Sequence, residues 1–436
     1  MNTKSSVVNL FVIFNAILFG ASFLTPCFLG ALCHVGLLYY ISKKTHIRFF
    51  EGFVWGCIVF GLQSAGLFYV VYYDGFGPMR LAYPLLFVIY CGLHSALWIG
   101  LSQIVTNEYR PFWWAFCAVV YTYYMHLYIL WPLGRVEGYP FAFPLIPLVS
   151  IASVMYSSLW SHPFELFTLL VVGQISFIEG FEKKSYWILT FITVLPLFAG
   201  VFVSFEKVVK PEWFNYLCYI KPPKNRTNSF ETAQQLCYEM IASKKDEFQF
   251  FVTPESVFPF PLNEGLSTKM WSEYALENKV FLLSAHLSKK QKIYNSVFLI
   301  NQCRIILNYN KSHLIPTFER SIQEKENNIR TFFNFFLSKR SDFSRSKKKS
   351  PLISYKLIGP FIPVICSELF WLNRFHPSTI PAIAVVNDGC FGPTRFDYLL
   401  LQTGRLKALC ESRWIVYVGW NYAYVISPLG KIESFR

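Results

Sequence analysis

The chain has 436 residues, 53% hydrophobic and 15% charged, with a net charge of +14 at neutral pH. So few charges exclude an ordinary soluble domain throughout, and so much apolar sequence excludes a disordered chain. The charge is unevenly placed: residues 1–205 hold 9 Lys+Arg and 7 Asp+Glu, whereas 206–436 hold 31 and 19. An apolar, nearly neutral half therefore precedes a polar, basic one. The expected domains are a transmembrane domain over 1–205 and a catalytic domain over 206–436.

Apolar runs fall at about 7–23, 24–41, 53–73, 83–105, 111–131, 163–180 and 186–205. Each approaches the roughly 20 residues that a spanning helix needs. A further run, 141–160, is interrupted near its start by Pro140, Pro144 and Pro147. Backbone groups freed by three prolines would go unpaired in lipid, which predicts a re-entrant or interfacial segment. Lys43, Lys44 and Arg48 form the most basic short loop and should be cytoplasmic. Seven spans then place everything after 205 on the far side of the membrane. Tyr39-Tyr40, Tyr72-Tyr73 and Trp113-Trp114 stand where interfacial aromatic belts are expected. The amino terminus reads as a retained anchor.

The second half alternates in character. Strands are predicted at 248–252, 280–287, 296–300, 304–309, 361–365, 382–386, 414–419 and 423–427. Helices are predicted at 229–243, 267–278, 318–337 and 396–411. Such alternation implies a layered α/β domain. Residues 332–337 form an aromatic run inside the third helix. Between Lys339 and Lys349 stand six cations and one carboxylate, Asp342. Beside a membrane half, this basic surface points to anionic headgroups rather than nucleic acid. The eleven cysteines form no CxxC, so neither a zinc site nor a disulfide framework is indicated, and no metal or cofactor is expected.

Three residues with reactive side chains follow apolar strands: Glu255 in Val252-Thr253-Pro254-Glu255-Ser256, Lys311 in Tyr309-Asn310-Lys311-Ser312-His313, and Cys366 in Val364-Ile365-Cys366-Ser367-Glu368. Strand ends are where such sheets collect ligand groups. A carboxylate to take the thiol proton, a thiolate to attack a carbonyl and an ammonium to balance the oxyanion suit acyl transfer.

Together, the Thr-Pro-Glu, Lys-x-His-Leu-Ile-Pro and Ile-Cys-x-Glu motifs resemble the nitrilase superfamily, whose triad is Glu, Lys and Cys. With the apolar half, the resemblance narrows to bacterial apolipoprotein N-acyltransferases. Gly52-Phe53-Val54-Trp55-Gly56 with Gly66-Leu67-Phe68-Tyr69 is similar to that family's third span. Asn387-Asp388-Gly389-Cys390-Phe391-Gly392 is similar to its segment after the nucleophile. Glu319 and Glu368 match two further family carboxylates, implying supporting roles. The resemblance implies a multispan helical membrane domain carrying an αββα sandwich exposed to the periplasm of the bacterial inner membrane. It also implies a phospholipid acyl donor and a diacylated apolipoprotein acceptor. Pulling a sixteen-carbon chain into water would cost about 12 kcal/mol, so the site should open onto lipid, with 332–337 as a candidate lid. The sequence departs from the family pattern at Ser367, at Thr317-Phe318 and at Cys390. It ends at Arg436, from which the family's closing strands and last span are expected to be missing. Two other readings remain open: a membrane-bound nitrilase-like homologue acting on another amide or ester, and a catalytically weak scaffold.

Overall fold

The computed structural model describes residues 9–25, 29–44, 46–73, 81–106, 108–131, 134–137, 178–180, 209–220, 249–262, 279–301, 304–314, 343–344, 346, 351–355, 358–369 and 380–434. The expected helices at 229–243, 267–278 and 318–337 lie outside these residues, as do the 141–160 segment, the 186–205 span and most of the 163–180 span. The chain divides into two compact units, Met1–Phe205 with Phe391–Leu406, and Glu206–Cys390 with Lys407–Arg436.

The first unit is helical: α1 (Leu10–Ala21), α2 (Leu29–Lys44), α3 (Phe49–Gln63), α4 (Ala65–Tyr73), α5 (Ala82–Ser102) and α6 (Arg110–Leu127). A hairpin of β1 (Tyr128–Trp131) and β2 (Gly134–Glu137) follows. The run read as one span over 53–73 is thus two helices that meet at Ser64, and the run over 111–131 ends as a strand. Helix α3 lies close against α5 because small residues face each other. A Cβ on Gly56 would fall 2.3 Å from Ser95 Oγ, and one on Gly52 would fall 3.0 Å from Ala96 Cα. The Gly-x-x-x-Gly spacing of α3 puts both on one face, which lets the helix backbones approach.

The unit has a mainly apolar interior with a few buried polar side chains, and large apolar side chains on its outside. Asn15, His34, Gln63 and Ser95 are buried, while Leu86, Ile89, Leu93, Leu97, Leu101 and Ile104 form an exposed stripe along and just past α5. Asn15 accepts from Trp55 Nε1 at 2.8 Å and donates to the His34 carbonyl at 3.1 Å, linking α1, α2 and α3. Of the described helices, one segment, Pro84–Ser102 with mean hydropathy 1.8, is long and apolar enough to cross a membrane by itself.

The second unit is built on two mixed six-stranded sheets. The first holds β3 (Leu217–Tyr219), β4 (Gln249–Val252), β6 (Lys279–Lys289), β7 (Lys292–Asn301) and β8 (Arg304–Asn310) in that order, with β5 (Phe258–Pro261) paired to β6. The second runs β14 (Ile432–Ser434), β13 (Ala423–Ile426), β12 (Ile415–Val418), β11 (Ala382–Val385), β10 (Ile358–Ile365), β9 (Ile353–Tyr355). Each sheet has three parallel strands followed by two antiparallel ones: β3, β4, β6 then β7, β8, and β10, β11, β12 then β13, β14. Helix α7 (Phe396–Cys410) connects β11 to β12, and most of it belongs to the first unit.

Near-continuous apolar runs mark strands covered on both faces. Strands β4 (QFFV), β11 (AIAV) and β12 (IVYV) are buried at every position. One face of the first sheet meets the second: Phe250 of β4 packs on Phe361 of β10, ring centroids 5.9 Å apart, with Trp213 against both. The opposite face of the first sheet buries Phe251, Phe281, Leu283, Phe298 and Ile300 in their own cluster. Each predicted strand is found, with its ends within four residues of those expected. Strands β3, β9 and β14 escaped the sequence reading because three residues carry too little periodicity to stand out, and β5 because its two prolines argue against a strand.

Candidate active site

Strands β4, β8, β10, β11 and β12 all end on the same side, and their following turns carry the polar groups. Two of these turns hold a non-glycine residue in the left-handed region, Ser256 at φ 55° and Cys366 at φ 46°. Such a conformation costs on the order of 1–3 kcal/mol and persists only where the surroundings enforce it. At Cys366 the enforcement is visible. The chain leaves β10 and enters a short 3-10 turn over 366–369, and Glu368 Oε2 accepts from the Ile365 N–H at 3.0 Å. Strand, thiol and turn are thereby tied into one sharp bend, with Cys366 9% exposed.

Glu368 is itself 1% exposed, and its other oxygen is the hub of the loop after β8. Glu368 Oε1 accepts from the Tyr309 hydroxyl at 2.7 Å, from the Ser312 N–H at 2.6 Å, from the Ser312 hydroxyl at 2.8 Å and from the His313 N–H at 3.3 Å. A buried carboxylate is tolerated when its lone pairs are filled in this way. Burial and the charge of Glu368 both push the Tyr309 phenol up, which keeps it a donor. Ser367 adds a bond from its hydroxyl to the His313 carbonyl at 2.7 Å. The side chain at 367 that departs from the family pattern thus fastens the Cys366 turn to the residues just after Lys311.

Lys311 and Glu255 form an ion pair at 3.0 Å, with side chains 1% and 5% exposed. Glu255 Oε1 also accepts from Asn295 Nδ2 at 2.8 Å, and Oε2 from the Asn387 N–H after β11 at 3.1 Å. Its backbone carbonyl accepts from the Trp420 indole at 2.9 Å. Trp420 is held in turn by Asp388, whose Oδ1 accepts the N–H groups of Trp420 and Asn421. Gly419 is required beside it, since a Cβ there would fall 2.1 Å from Asp388 Oδ2.

His286 stands opposite Asn295 in the β6–β7 ladder, edge-on to Phe343 at 4.9 Å. Burial lowers its proton affinity, and the charge of Glu255 pulls the other way. Phe343 belongs to the basic stretch, part of which is docked here. Phe343 bridges to Ile293, the Ser344 N–H donates to the Ile293 carbonyl at 2.7 Å, and the Ser346 N–H donates to the Lys311 carbonyl at 3.1 Å.

The structure therefore brings Glu255 and Lys311 into contact and ties the Cys366 turn, through Glu368, to the loop that carries Lys311. Glu319 lies outside the described residues. Asn295 and Trp420 were not singled out from the sequence, and Ser312 and Asn387 stood there only as members of quoted motifs, with no role given. Asn295 alone left a signal there, as a polar residue immediately before the apolar run 296–300.

No protein-family model matches this sequence. Apolipoprotein N-acyltransferase of Aquifex aeolicus (strain VF5) is 24% identical over 379 residues, which are 83% of this chain and 81% of that protein. That alignment exceeds the 231 residues that follow position 205, so it takes in helical as well as α/β sequence. This chain is similar to apolipoprotein N-acyltransferases. Among solved structures, a CN-hydrolase superfamily protein from Xanthomonas campestris aligns at 16% identity and TM-score 0.32, over 49% of this chain and 80% of that one. Nit3 of Saccharomyces cerevisiae, a nitrilase superfamily member, aligns at 16% identity and TM-score 0.34, over 53% and 89%.

Proposed function

We propose that this protein is a multi-pass enzyme of the bacterial inner membrane that moves a fatty acyl group from a phospholipid to the amino-terminal cysteine of a diacylated apolipoprotein. The observation that carries the reading is the buried Lys311–Glu255 pair, hydrogen-bonded among the strand ends from which Cys366 emerges. Glu255 takes the thiol proton of Cys366, and the thiolate attacks the phospholipid ester carbonyl. Lys311 balances the oxyanion, as preorganised donors do in acyl transfer. The proton on Glu255 leaves with the lysophospholipid alkoxide, so the first half ends with an acyl thioester on Cys366. The acceptor α-amine then attacks, Glu255 takes its proton, and collapse forms the amide and returns the thiolate. Glu368 and Glu319 are the supporting carboxylates in this reading.

The membrane assignment draws on the stripe from Leu86 to Ile104, which in water would be a large unpaired apolar surface, and on the small residues that seat α3 against α5. Cytoplasmic Lys43, Lys44 and Arg48 would place the catalytic unit in the periplasm.

The test is rescue of a strain depleted of its own acyltransferase, read by mass spectrometry of a lipoprotein amino terminus. Restored N-acylation by the wild type and none by Cys366→Ala is the expected result. Thiol labelling of Cys366 without rescue would point instead to another amide or ester substrate. Absence of both rescue and labelling would overturn the enzymatic reading.

A further inference from the structure

The turn between β12 and β13 is closed by the Gly419 N–H, which donates to the Tyr422 carbonyl at 2.7 Å. Asp388, 0% exposed, sits against this turn from the end of the neighbouring strand β11. Its Oδ1 accepts from the N–H groups of Trp420 and Asn421, and the Tyr417 hydroxyl faces its Oδ2 at 3.4 Å. The Tyr219 hydroxyl, at the end of β3, braces the same turn by donating to the Gly419 carbonyl at 2.8 Å. Burial and the charge of Asp388 both push this phenol up, so it stays a donor. A buried carboxylate needs such donors, and holding a turn requires nothing more.

Both ends of the clamp, however, lead to Glu255. The residue before Asp388 donates its N–H to Glu255 Oε2 at 3.1 Å. Trp420, which Asp388 binds in the turn, donates its indole to the Glu255 carbonyl at 2.9 Å. Carboxylate and backbone of Glu255 are thus gripped from the ends of β11 and β12, and Asp388 locks those two ends together. Glu255 itself lies three residues past the end of β4, and the next residue, Ser256, is left-handed at φ 55°. Strand β4 alone does not aim its side chain.

We infer that Asp388 is a positioning residue for Glu255: it fixes the Asn387 N–H and the Trp420 indole, and through them it aims the carboxylate. The inference rests on the proposed role of Glu255 as the base for the Cys366 thiol. A seated base takes the thiol proton as the new bond to sulfur forms, and the rate then varies little with pH. A base out of place leaves that proton to solvent. The rate then follows the thiolate fraction, rising about tenfold per pH unit below the ordinary thiol value of about 8.5.

Iodoacetamide alkylation of Cys366 in the full chain, read by peptide mass spectrometry between about pH 6.5 and about pH 8, tests this without an acyl substrate. Glu255→Gln sets the reference and should steepen a shallow wild-type profile. Asp388→Ala should steepen it likewise. Asp388→Asn keeps an oxygen that can accept both N–H groups and should bring the shallow slope back. Trp420→Phe keeps most of the ring, loses the indole N–H and should fall between. A clamp that only supported the fold would lower the rate by one factor at every pH. Unchanged slopes in Asp388→Ala and Trp420→Phe, beside a steepened Glu255→Gln, would overturn the inference and leave the base standing. An unchanged slope in Glu255→Gln would overturn both. If Asp388→Ala does not fold, Trp420→Phe decides, since the clamp acts through that indole.

Discussion

Ser312 gives Glu368 two hydrogen bonds at once, from its N–H at 2.6 Å and its hydroxyl at 2.8 Å, and so locks the loop after β8 to the turn after β10. Lys311 sits one residue before this lock and Cys366 two residues before Glu368. The relative placement of ammonium and thiol is thereby set by a residue that need not touch substrate.

Glu368→Gln should therefore loosen the site more than it unfolds the protein. The amide keeps the shape but turns one acceptor into a donor facing the Ile365 N–H or the Ser312 cluster. Leaving one such buried donor unsatisfied costs about 1–3 kcal/mol. The expected outcome is a lower Tm and slower Cys366 alkylation, measured by thermal unfolding and by iodoacetamide labelling. Ser312→Ala removes one of the bonds and should show a smaller change in the same direction.

Lys311→Met should do double damage. Breaking a buried pair by removing one member costs about 3–5 kcal/mol, because the other charge is left uncompensated. Adding Glu255→Gln should recover much of that stability, since no buried charge then remains. Transferase activity should stay at least about 10²-fold down in both, as expected when an oxyanion donor is lost. Recovery of activity along with stability would show that the pair is structural only.

His286 should make stability depend on acid. Burial lowers its folded pKa below the usual 6.5, so the folded state takes up the proton less readily than the unfolded one. The contribution is present above about pH 6.5 and is lost as pH falls through the folded value. His286→Gln should flatten the Tm profile between about pH 7 and pH 5. Glu255→Gln removes the opposing carboxylate charge and should steepen it. Chemical denaturation across this range checks both.

Cys366 should hold the acyl group between the half-reactions. Incubation with phospholipid and no acceptor should leave a hydroxylamine-sensitive acyl group on Cys366, found by intact-mass and peptide mass spectrometry. Glu255→Gln should acylate poorly, because its thiol keeps its proton. Turnover by wild-type protein with no trapped acyl group under donor-only conditions would exclude the two-step route.

Topology is checked separately by fusing a reporter after Lys210. Activity confined to a periplasmic reporter is the expected result; activity confined to a cytoplasmic one would restore residues 141–160 as a span.

The strands that carry the site were legible in the sequence because hydrophobic periodicity is a local property. Phe250, Phe251 and Val252, or the run from Phe361 to Ile365, announce themselves by composition, and a Glu, Lys or Cys just beyond such a run is visible at once. What no local pattern contains is which strand ends meet. Asn387 reaches Glu255 across 132 residues and Ser312 reaches Glu368 across 56, and these pairings exist only because two sheets stack through Phe250 and Phe361. The left-handed backbone at Cys366 is likewise a tertiary decision, since the carboxylate hub that holds it draws its donors from another sheet. The docking of Phe343 beside His286, in a stretch whose charge points to anionic headgroups, arises because β7 extends past the end of β8 and leaves backbone groups at Ile293 to be paired. Residue type and order determined which chemistry could occur here; long-range burial and hydrogen bonding determined which side chains stand close enough to perform it.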